Sequence, residues 1–116
     1  MDHTLTKQER ISSKSAISAL MKDGKWSSYT LMRSCVLRRE GESLNRIMVS
    51  VPKKTFKRAV KRNLLKRRIR ESYRLSKEIL PQSGYDILFF YKADNVADFS
   101  EISSEMKSTL TKLAGC

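Results

Sequence analysis

Cationic and amide side chains recur at helical spacing between Lys53 and Arg74, in the stretch KKTFKRAVKRNLLKRRIRESYR. Ammonium, guanidinium and carboxamide groups break no bond by themselves. They neutralise phosphates and hydrogen-bond to phosphate and sugar oxygens. Asn63, Arg67, Arg70 and Arg74 follow i, i+4, i+7 and i+11, which aligns them along one side of a helix. Arg62 and Lys66 fall at the border of that helix's apolar stripe, where long stems cover apolar surface and charged heads stay wet. Lys53 and Lys54 precede the helix.

The charge is segregated. Of these 22 residues, 11 are Lys or Arg and one, Glu71, is acidic, whereas the remainder of the chain holds 13 basic and 11 acidic residues. Nearly all of the formal +12 therefore lies here. Like charges four residues apart repel by tenths of a kcal/mol per pair in an isolated helix, roughly 0.2–0.5. An ordinary solvated helix mixes signs, and a targeting stretch is the other bland reading; the unmixed stripe points instead to a polyanion, RNA or DNA. Protein-borne catalysis has no comparable signal. The single histidine is His3, Cys35 and Cys116 are far apart, and no carboxylate cluster is apparent, so neither a zinc site nor an acid–base constellation is expected.

The elements that must position the stripe are legible. Lys53 to Leu80 contains no Gly or Pro and Pro81 to Gly84 stops it, so the stretch reads as helix with Thr55 as a possible N-cap. Leu65, Ile69, Ser72, Tyr73, Ser76 and Leu80 form its packing stripe. Val60 and Leu64 fit neither side. Before it, Ser12 or Ser13 can cap a helix running to about Lys22, with Ile17, Leu20 and Met21 on one face and Gly24 beyond. Leu31 to Arg39 and Arg46 to Val51 read as two strands around a turn, hence an antiparallel pair, with a further short strand near Trp26. Tyr85 to Lys92 is apolar on both alternating faces, an interior strand. Asp98 and Glu101 suggest a capping box for a last helix, with Phe99, Ile102, Met106, Leu110 and Leu113 inward. Cys35 reads as a small buried hydrophobe.

The order α-β-β-(β)-α-β-α makes an α+β domain spanning residues 1–116, with residues 1–8 as a flexible lead-in. No apolar run approaches the roughly 20 residues of a membrane span, and the N-terminus lacks the apolar core of a signal peptide. A cytoplasmic protein is the default expectation, without membrane or obligate protein partner.

Ala59 to Arg74 resembles the signature of the bacterial ribonuclease P protein subunit, through Arg62-Asn63, Lys66-Arg67 and Arg70-Glu71. Ser50 to Lys54 is similar to the strand end and Lys pair that precede that helix. Glu9 to Lys25 is similar to the family's first helix. The family usually continues Arg-Asn-Arg, but position 64 is Leu, and Ile17 and Met21 stand where Phe is common. The resemblance implies a two-layer α/β sandwich of the ribosomal protein S5 second-domain type, its long helix joining parallel strands 46–51 and 85–92 by a left-handed crossover. It also implies a ribonucleoprotein that cleaves precursor tRNA to give the mature 5′ end, with catalysis and most Mg²⁺ binding belonging to the RNA subunit. Lys53, Lys54, Arg62, Asn63, Lys66, Arg67, Arg70 and Arg74 would then contact RNA, and Ile17 and Met21 would line the cleft for the 5′ leader. A structural, ribosomal-type RNA-binding protein would show the same charge.

Overall fold

A strand that is apolar on both faces needs cover on each side, and Tyr85–Tyr91 receives it. The computed structural model, which describes residues 7–115, sets this strand inside a four-stranded sheet. The strands are β1 (Lys25–Ser28), β2 (Met32–Arg38), β3 (Arg46–Ser50) and β4 (Tyr85–Tyr91), in spatial order β1-β2-β4-β3. The helices are α1 (Lys14–Asp23), α2 (Ala59–Ser76) and α3 (Phe99–Ala114), with 3₁₀ turns at Lys7–Glu9 and Lys77–Ile79. The α+β class is as expected, and the short strand at Trp26 is present. Among the described residues no helix is long and apolar enough to cross a membrane. His3 and Cys116 lie outside the described residues, as does most of the lead-in expected to be flexible.

The antiparallel pairing expected of residues 31–39 and 46–51 is corrected. β2 and β3 are consecutive but not adjacent; β4 lies between them, antiparallel to β2 and parallel to β3. The strand with two apolar faces takes the interior position, and β3, half-buried at every second residue, takes the edge. Parallel β3 and β4 are joined through α2, as the resemblance implied.

Alternation then divides the core. Ile87, Phe89 and Tyr91, with Met32, Ile47 and Val49, pack against Leu65, Ile69 and Tyr73 of α2 and Ile102, Met106 and Leu110 of α3. Leu88 and Cys35, with Met48 beside them, face Leu20 and Ile17 of α1. Gly24 closes α1 where any side chain would collide, since a Cβ there would stand 2.3 Å from the Leu20 carbonyl oxygen and 2.4 Å from Cys35 Sγ. Ser13 caps α1 through Ala16 N–H, and Asp98 caps α3 through Glu101 N–H.

The start of α2 differs from expectation. It begins at Ala59, Arg58 occupies the N-cap without a side-chain bond, and Thr55 sits in a preceding turn. Phe56 explains the delay. Its ring is buried 5.8 Å from that of Tyr91, and its N–H donates to Pro52 O at 3.1 Å, so the chain is pulled inward before it can coil. The far end also stops early, at Ser76, and tightens into the 3₁₀ turn, with Leu80 still buried. Buried Asn45 joins the starts of the two parallel strands: its Oδ1 accepts from Ser83 and Tyr85 N–H and its Nδ2 donates to Pro81 O, each at 3.0 Å.

Candidate nucleic-acid interface

The cationic face is built by the approach to α2 and by α2 itself. Lys53 and Lys54 are exposed on the turn that Phe56 anchors, and Asn63 and Arg67 are exposed on the outer side of the helix. Lys66 is half-buried at the stripe's border, as expected. Arg62 is half-buried too, and its Nη1 donates to the carbonyls of Phe56 at 2.7 Å and Lys57 at 2.9 Å. That guanidinium holds the approach in place by tying two of its carbonyls to the first turn of the helix. Arg68 likewise donates to Ala97 O at 2.6 Å and ties α2 to the lead of α3.

Arg70 and Arg74 are less open than their helical phase suggests. Arg74 pairs with Glu71, and that hydrogen bond holds the Glu71 carboxyl below its ordinary range. Arg70 is half-buried over the edge strand β3, in a cavity of about 200 Å³ also lined by Arg10, Ser12 and Met48. Burial, and then the charge of Arg10, push the Arg70 guanidinium below its ordinary pKa. Two guanidiniums thus share one notch, where an anion would relieve both the crowding and the desolvation. Sequence reasoning missed Arg10. Its lone position in the lead-in carries no periodic signal, and only its bridge to Ile47 brings it beside α2.

At the notch the chain passes through Ile11, whose N–H donates to Ile47 O at 2.9 Å, and on to α1 on the other face of the sheet. There the two predicted cleft residues separate. Ile17 packs beside Leu20, Trp26 and Met48, whereas Met21 is half-exposed outside that cluster. The aromatic surface on this face comes from the sheet. Arg33, Phe90 and Ser50 stand opposite one another across β2, β4 and β3, two residues beyond the Cys35–Leu88–Met48 row that α1 covers. Phe90 is half-buried, and the Arg33 guanidinium lies 4.6 Å from the centre of the half-buried Trp26 ring. Phe90 was legible only as a core strand residue. Trp26 packs against the cluster under α1 and keeps its ring beside the Arg33 guanidinium.

No group of three His, Cys, Asp or Glu side chains among the described residues converges on a metal-sized site. The arrangement can bind, neutralise and orient a polyanion.

The family model described as Ribonuclease P matches residues 5–114. The chain is 34% identical over 121 residues to the ribonuclease P protein component of Porphyromonas gingivalis, covering 96% of this chain and 87% of that one. It is 36% identical over 105 residues to the Clostridium kluyveri component, covering 89% and 92%. Among solved structures, the RNase P protein of Thermotoga maritima superposes with a TM-score of 0.78 at 24% identity, covering 90% of this chain and 96% of that one. The Staphylococcus aureus RNase P protein gives 0.76 at 23%, covering 91% and 94%.

Proposed function

The chain belongs to the ribonuclease P protein family, and from that premise we propose how its two faces serve an endoribonuclease whose catalyst is RNA. The unmixed cationic face of α2, continuous at the Arg10–Arg70 notch with the α1 side of the sheet, carries the reading. Lys53, Lys54, Lys66, Arg67 and Arg70 neutralise phosphates of the catalytic RNA where its strands crowd together. Asn63 offers an uncharged donor and acceptor to a phosphate or 2′-hydroxyl. Arg62 acts mainly by holding the Phe56–Lys57 approach, and Arg74 works beside the Glu71 carboxylate.

The 5′ leader of precursor tRNA lies on the other face, along α1. Phe90 and Trp26 supply the flat surfaces on which bases stack, and Arg33 the adjacent charge. Ile17 closes the cleft's apolar side, with Met21 at its rim. The Mg²⁺ used in hydrolysis is held mainly by the RNA. The protein raises substrate affinity and favours functional Mg²⁺ binding by the ribonucleoprotein, in the cytoplasm.

Reconstitution tests this. With the catalytic RNA at low Mg²⁺, adding the chain is expected to restore cleavage of precursor tRNA at the mature 5′ end. An unchanged rate, with RNA binding intact, would leave a purely structural RNA-binding role instead.

A further inference from the structure

A second groove lies on the opposite side of the sheet from α1, at the β1 edge and past the C-terminal turn of α3. Its volume is about 370 Å³, within the usual range of ligand sites. Lys25 on β1, Val36 and Arg38 on β2 and Tyr85 on β4 share one sheet face by alternation and by register, Lys25 opposite Val36 and Arg38 opposite Tyr85. Tyr29 and Lys112 complete it from the β1–β2 turn and from α3. Val36, Tyr29 and Tyr85 are half-buried, so the floor is apolar and aromatic. Lys25, Arg38 and Lys112 are exposed, and among the described residues the charged ones lining the groove are all cationic. Lys112 Nζ stands 5.8 Å from the centre of the Tyr29 ring, and Arg38 Nε donates to Ser83 O at 3.2 Å, which fixes the heads at the rim.

Aromatic faces set among cations suit an unpaired nucleotide strand: the rings stack bases of any sequence and the rim holds the linking phosphates. An acidic peptide would satisfy the rim but leave the tyrosine faces without a flat partner. The geometry points to a second single-stranded RNA site here, taking an unpaired segment with a base against Tyr29 and Tyr85 and phosphates among Lys25, Arg38 and Lys112. The groove and the leader cleft open on opposite faces of the sheet, so one short strand does not fill both.

The test is a titration of the full ¹⁵N-labelled chain with pentaadenylate, followed by amide chemical shifts. Two separate groups of shifts are expected: one at Ser27–Tyr29, Val36–Arg38, Tyr85 and Leu113, and another on the α1 side. The double variant Tyr29→Leu/Lys112→Gln should weaken the first group's apparent affinity by roughly ten-fold or more and leave the second unchanged. Lys25→Gln/Lys112→Gln alters exposed side chains alone and should show a smaller loss in the same group, covering the case in which the tyrosine variant does not fold. Shifts confined to the α1 face and α2 would overturn the proposal. So would pentaglutamate shifting the first group as strongly as the oligonucleotide, which would assign the groove to an acidic peptide. Loss of α1-side shifts alone would count against the leader reading and not against this one.

Discussion

Arg62 Nη1 donates to the carbonyl oxygen of Phe56 at 2.7 Å, reaching back across the first turn of α2 to hold the segment that buries Phe56 against Tyr91. A cation of the family-like motif is thereby a structural clamp. Arg67, five residues on, is exposed and makes no such bond among the described residues. The two arginines should therefore separate in experiment. Arg62→Ala is expected to lower unfolding free energy by about 1–2 kcal/mol, the lower range for hydrogen bonds from a charged donor because the group is partly solvated. Arg67→Ala should stay within about 0.5 kcal/mol of the parent while weakening binding to the catalytic RNA. Urea melts paired with RNA-binding curves check both. Equal stability loss in the two variants would remove the clamp, and unchanged affinity for Arg67→Ala would remove that residue from the interface.

Salt reports how many phosphates the cationic face meets. Six to eight contacts imply a slope of log K against log salt of about −5 to −7 for binding to the catalytic RNA. Binding isotherms from low to physiological ionic strength give the slope directly. A value near zero would show that the segregated charge is not what binds.

The Glu71–Arg74 pair gives a pH signature. The hydrogen bond from Arg74 depresses the Glu71 carboxyl in the folded protein, so the pair's stabilisation is present above the unfolded carboxylate value of about 4.3 and is lost as pH falls through the depressed folded value. Both side chains are partly exposed, so the effect is screened. Glu71→Gln should flatten that part of the acid side of the stability curve. It also removes the carboxylate beside Arg74, so RNA affinity should rise a few-fold at low salt and converge with the parent at high salt. No gain at low salt would place this last turn of α2 away from RNA.

The helical phase of α2 and the identity of its inward side chains could be read from residues alone, because a 3.6-residue stripe of Leu65, Ile69, Ser72, Tyr73 and Ser76 is a local pattern. Strand order could not. Neighbouring segments with a short turn look like a hairpin, and nothing local says that β4, from beyond a helix of 18 residues, intrudes between them. The site divides the same way. Exposed Asn63 and Arg67 followed from periodicity, whereas the Arg10–Arg70 notch depends on an edge-strand bridge and Phe90 on which face of β4 the short α1 leaves open. Phe56 delayed the helix because burying its ring outweighed the helical preference of the preceding turn, a tertiary effect that propensity does not carry.

Phe90 offers the sharpest distinction between a leader cleft lined by α1 and one floored by the sheet. It stands between Arg33 and Ser50 in register, half-buried, with the Trp26–Arg33 pair beside it. Met21, on α1, is half-exposed and outside the apolar cluster. If bases stack on the sheet, Phe90→Leu keeps an apolar contact but loses the flat face, and affinity for precursor tRNA should fall by about 1–2 kcal/mol, within the range for one base–aromatic stack. Met21→Ala should cost well under 1 kcal/mol. The measurement compares precursor tRNA carrying a leader with mature tRNA lacking it, both bound to the reconstituted ribonucleoprotein. Only the leader-bearing substrate should distinguish Phe90→Leu from the parent. A larger loss from Met21→Ala than from Phe90→Leu would return the leader to α1, and equal losses on both substrates would mean that Phe90 supports the fold rather than the strand bound above it.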